Sequence, residues 1–153
     1  MVLELKTTSK KLYDTDYHLW VMETVKHLEN KDFDAIDLEN LIEEVSDLSR
    51  RDKRKLENLL RRLFEHLLKL KYWESEIIRN QGHGQGEIRT FRKQINNELK
   101  TSPSLNRHLL EIFDKCYQDA REIVSDKSQL PINTFPEALI GTMEQVLDEN
   151  WLP

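Results

Sequence analysis

Glu43 and Glu44, adjacent carboxylates flanked by Asn40 and Asp47, and His66, farther along the same periodic segment, are the side chains best suited to chemistry in this sequence. The carboxylates could contribute to a divalent metal site, and an imidazole held near neutrality at the edge of an apolar stripe could move a proton near neutral pH. Together Glu43, Glu44 and His66 define a metal-dependent or acid/base enzyme reading. The reading lacks the Glu-x-x-His pairs with which helical bundles hold metals, since none occurs in the chain. Helix-dipole and ion-pair roles account for the two glutamates, and a satisfied boundary histidine accounts for His66. Asp14, Asp16 and His18 lie close together, but capping explains Asp14. His83, within Gly82-His-Gly-Gln-Gly86, fits neither a phosphate-binding loop nor a dinucleotide fingerprint. No serine sits in a Gly-x-Ser-x-Gly elbow, and Cys116, the single cysteine, reads as a buried thiol. The sequence therefore argues more against an enzyme than for one, and no catalytic residue, cofactor or metal is expected.

Charge supplies a different kind of candidate. The 28 acids and 23 bases leave a net charge of −5, which disfavours a general nucleic-acid binder. The distribution is uneven. Seven acids and no Lys or Arg lie between Asp32 and Asp47, whereas nine bases and three acids lie between Arg50 and Lys71. Acids early and bases late suit the dipole of one helix, and they also suit antiparallel pairing with a second copy. The basic segment Arg50 to Lys71 could track a phosphate backbone, but its bases are interleaved with apolar positions and no aromatic platform accompanies them. Within it, Arg50, Arg51, Arg54 and Lys55 fall in a polar interruption from Ser49 to Lys55, where a protein partner or a second copy could be met.

The element that must position these groups is a long amphipathic helix. Leu38, Leu41, Ile42, Val45, Leu48, Leu56, Leu59, Leu60, Leu63, Leu67 and Leu70 share one sector of a 100° helical wheel, and Leu56 resumes in phase after the interruption. The spacing predicts a rod of roughly 50 Å with shorter helices hiding its stripe. Asp14 is expected to cap a helix ending near Glu29, and Asp37 to cap the rod, which fades at Tyr72 and Trp73. A short helical piece from Glu74 to Arg79 and a loop at Gln81 to Gly86 precede a helix from Glu87 to Lys100. Ser102 and Pro103 open another that runs to Asp126, and Thr142 caps a last short one. Trp151 is expected to plug the bundle. With 38% hydrophobic and 33% charged residues and four glycines, the class is all-α: an up-down bundle of four or five helices around one central helix. One domain is expected over 1–153, with a flexible arm at 1–12 and a tail at 128–153. The start shows no signal-peptide pattern and no run is long enough to span a bilayer, so a cytoplasmic location away from membranes is expected.

Seven stretches, in order and spacing, carry a resemblance: Tyr13-Asp-Thr-Asp-Tyr-His-Leu-Trp20, Asp37-Leu-Glu-Asn-Leu-Ile-Glu-Glu-Val45, His66-Leu-Leu-Lys69 with Tyr72, Ser102-Pro-Ser-Leu105, Tyr117-Gln-Asp-Ala-Arg121, Phe135-Pro136 and Leu147-Asp-Glu-Asn-Trp-Leu-Pro153. The chain resembles the domain-of-unknown-function 29 family, a group of bacterial, chiefly cyanobacterial, proteins. The resemblance implies a compact all-helical domain and assigns no activity. The expected role is that of a small helical protein–protein interaction module, acting on a protein partner or as a homo-oligomer.

Overall fold

A computed structural model describes residues 2–153, with the side chains of all but residues 2, 4–7, 9, 80 and 81. The helices are α1 (Val2–Thr15), α2 (Tyr17–Glu29), α3 (Leu38–Tyr72), α4 (Glu74–Thr101), α5 (Leu105–Ser128) and α6 (Met143–Leu147), with single 3-10 turns at Phe33–Ala35 and Ile132–Thr134. No strand occurs among the described residues. The fold is all-α with one long helix, as the apolar periodicity predicts. The chain divides into two compact units, residues 1–51 and 52–153, and α3 contributes to both.

In the first unit, residues 2–12 of the expected flexible arm are helical within α1, and residue 1 lies outside the described residues. The chain leaves the helical region at Asp16 (φ −149°, ψ 84°), and the Leu19 N–H donates to the Asp16 carboxylate at 3.1 Å. Asp16 is therefore the cap, and Asp14, predicted for that role, lies inside α1 where no free N–H faces it. Tyr13 and Trp20 meet edge to face, with centroids 4.8 Å apart, and Tyr17 stacks on Trp20. Asp37 is buried at the start of α3 and accepts from the Asn40 side chain at 2.6 Å and from its backbone N–H at 3.4 Å, as a cap should. Among the described residues of this unit, the buried apolar groups are Trp20, Ala35 and Ile36.

The second unit holds the core. Leu56, Leu60, Leu63 and Leu67 of α3, Ile88 and Ile95 of α4, Leu109 and Val124 of α5, and Phe135 and Val146 of the tail are shut off from solvent. Phe64 packs edge to face on Phe113 and Tyr117. Two boundaries differ from expectation. The predicted loop at Gln81 to Gly86 is helical, so the pieces on either side fuse into α4. Helical glycine costs about 1 kcal/mol relative to alanine, and burial of Ile88, Phe91 and Ile95 just downstream offsets that cost. Ser102, predicted to cap α5, instead ends α4 by donating its N–H to the Glu98 carbonyl, and α5 begins at Leu105 after a turn.

The tail from Leu130 onward lacks long helices, so its carbonyls need side-chain donors. Arg121 gives two bonds to the Phe135 carbonyl, the Tyr117 hydroxyl donates to that of Pro136, and Arg92 Nε donates to that of Val146 at 2.8 Å. Thr142 and Gln145 form a reciprocal capping box on α6. Trp151 packs on the core, as a plug would, and it does so over Gly141, where a Cβ would come within 2.8 Å of the indole ring.

The stripe on α3 is not hidden along its whole length. Leu56, Leu59, Leu60, Leu63 and Leu67 are buried as predicted, but Leu38, Ile42, Val45 and Leu48 are 57–61% exposed.

Candidate functional site

Of the exposed stripe residues, Val45 and Leu48 face a groove of about 240 Å³ within the first unit. Val21, Val25 and Leu28 of α2 form one wall and Leu41, Val45 and Leu48 of α3 the other, with Trp20 among the lining residues. The Trp20 indole N–H is buried and finds no acceptor among the described residues. Glu44 and Arg51 also line the groove. Glu44 accepts hydrogen bonds from the Tyr13 hydroxyl at 2.6 Å and the Tyr17 hydroxyl at 2.7 Å. Those bonds favour the carboxylate, lowering the Glu44 pKa and raising that of Tyr13 to about 12. Glu44 is thus held as an acceptor and an anion, not poised to exchange protons near neutrality.

The other expected residues have their own partners. Glu43 takes a bond from Arg50 at 2.6 Å, and Asp47 pairs with both Arg50 and Arg51. Lys55 pairs with Glu98, and Arg54 interacts within the chain. Of these four cations only Arg51 lines the groove. Farther along the basic segment, Arg62 lies over the Phe91 ring, Lys69 over Trp73 and Lys71 over Tyr72, so several of its charges are engaged by ring faces.

His66 belongs to a cavity of about 210 Å³ in the second unit, lined by the charged or titratable Lys69, Glu76, His83 and Glu87 and by the apolar Leu70 and Ile77. Its Nε2 lies 2.8 Å from one Glu87 oxygen, and His83 Nε2 lies 3.2 Å from the other. Burial lowers the His66 pKa, opposed by the Glu87 charge. This pair could hold or pass a proton, but no Ser, Thr or Cys nucleophile lines the cavity among the described residues. Among the described residues no group of three or more His, Cys, Asp or Glu side chains is arranged to hold a metal ion. Burial raises the Cys116 thiol to about 11, leaving it protonated and unreactive.

Sequence reasoning missed Glu87 and His83 as neighbours of His66, and Tyr13 and Tyr17 as donors to Glu44. Tyr17 and Trp20 share α2, but Tyr13 belongs to α1 beyond the break at Asp16, and nothing local named Glu44 as the partner across the unit.

Fold and site together define an all-helical protein whose first unit presents an apolar groove and whose second unit holds a cavity with a His66–Glu87–His83 cluster. No helix among the described residues is long and apolar enough to cross a membrane. The chain belongs to the family described as Domain of unknown function DUF29, which matches residues 12–152. No match is found among curated proteins or solved structures.

Proposed function

We propose that the protein is a helical protein–protein interaction module whose N-terminal unit receives an amphipathic helix from a partner. The observation that carries this reading is the groove between α2 and α3, where Val45 and Leu48 stand 58% and 57% exposed on the wall of an apolar trough. Such a trough suits a helix that inserts apolar side chains at i, i+3, i+4 and i+7. Charge narrows the partner further. The segment from Asp32 to Asp47 carries seven acids and no Lys or Arg, so a helix with Lys or Arg beside its apolar face complements it. Arg51 would meet a lone acid on that helix.

A synthetic amphipathic peptide with leucines at that spacing and flanking lysines is the test probe, titrated into isotopically labelled protein. Saturable shifts at the amides of Val25, Leu41, Val45 and Leu48 are expected, weakening with salt and vanishing in Val45→Asp. Shifts that survive Val45→Asp, or that fall only on residues beyond 51, would overturn the reading. A dimer detected by sedimentation and abolished by Val45→Asp would assign the face to a second copy instead.

A further inference from the structure

Arg92 is the largest of the fully buried side chains, 1% exposed, and its guanidinium is poorly matched. Nε donates to the Val146 carbonyl, but Nη2 is buried without any hydrogen-bond partner among the described residues. No carboxylate among the described residues lies within ion-pair distance of it. Asp148 and Glu149 attract the charge from farther away, yet burial outweighs them and pulls the Arg92 pKa below its ordinary value. Arginine does not shed its proton in proteins, so a buried cation remains, and such a charge is stable only with an anion or several acceptors around it.

The surroundings suit an anion. Arg92 lines a cavity of about 220 Å³ together with Arg89, Gln85, Asn150, Glu149 and Leu152. Arg89 sits one turn before Arg92 on α4, so both guanidinium groups reach the same side of the helix. Gln85 and Asn150 carry side-chain amide donors. Glu149 is the one carboxylate in the lining among the described residues, and it opposes an incoming anion. We propose that Arg92 and Arg89 form a binding site for a small oxyanion, a phosphate or carboxylate group, between α4 and the C-terminal segment. The forked guanidinium matches two oxygens of either group. Occupancy would fasten the tail, whose Val146 carbonyl Arg92 already holds.

The test is thermal unfolding of the full chain with inorganic phosphate or acetate against sodium chloride at matched ionic strength. A saturable rise in Tm is expected from linkage, and the arm that produces it tells phosphate from carboxylate. Arg92 is left intact because its loss would free the tail. Arg89→Gln, at an exposed position, should weaken the anion about tenfold, the effect of one charge-assisted hydrogen bond, whereas Glu149→Gln should tighten it. No saturable rise beyond chloride, or the same rise in both variants, would overturn the proposal. So would a Glu149→Gln variant that is itself destabilised and indifferent to anions, because Glu149 would then be the counter-ion.

Discussion

One helix carries two halves of the same apolar stripe, and they have opposite fates. From Leu56 to Leu68, α3 is buried among α4, α5 and the tail; from Leu38 to Leu48, its leucine, isoleucine and valine stand mostly in solvent. Periodicity is equal in both halves. What differs is the supply of apolar groups opposite. The second unit brings Ile88, Ile95, Leu109, Tyr117, Phe135 and Val146 to its stretch of α3, and all are shut off from water. The first unit brings Trp20, Val21, Val25 and Leu28, which leave a groove between α2 and α3, and Val25 and Leu28 are themselves exposed. A stripe predicts a face that wants cover; it does not say that the chain itself supplies the cover.

The sharpest break of this comparison is a matched pair of truncations. Leu63→Ala should cost about 2 to 5 kcal/mol in urea unfolding, while Leu48→Ala, on the same helix and stripe, should stay within about 0.5 kcal/mol. Equal losses would mean that both halves are buried. Gly141→Ala sharpens the point that the second unit is packed to shape: its new Cβ would lie 2.8 Å from the Trp151 ring, and overpacking of that kind costs about 1 to 3 kcal/mol. A lowered Tm with blue-shifted or quenched indole emission altered at Trp151 would report it. Gly84→Ala does the reverse, since nothing lies within 4 Å of an added Cβ there. It should stabilise α4 by about 0.5 to 1 kcal/mol, and a destabilised variant would restore the loop.

The last prediction concerns His66. Its pKa is lower in the folded chain than the ordinary 6.5, so the unfolded chain binds that proton more tightly. Stability attributable to His66 is therefore lost as pH falls below about 6.5 and is regained above it. His66→Gln should flatten that limb of a pH–stability curve, and an unchanged slope would place the imidazole in water.

Where the physics was local, the sequence was legible. Asp37 and Thr142 sit three residues before the N–H groups they cap, and both roles were readable. Asp14 and Asp16 are equally good caps by residue type, and only the course of α1 decides that Asp16 is the one with a free N–H to face. The Gln81 to Gly86 stretch read as a loop because propensity alone penalises three closely spaced glycines. The anchoring of Ile88 and Phe91 lies outside that local term. The candidate sites were half legible: His66 and Glu44 stood out by type and position, but Glu87 is 21 residues beyond His66, and no local rule connects them.

By itself the sequence determined the all-helical class, the long α3 and the face that each helix wants to hide, because backbone geometry and side-chain period act over a few residues. Tertiary structure alone decided which half of that face is covered, which carboxylate stands beside His66, and that Arg92 is sealed in without a matching acid. Those outcomes depend on which distant segments converge, and burial acts on the assembled surface, not on the order of residues along the chain.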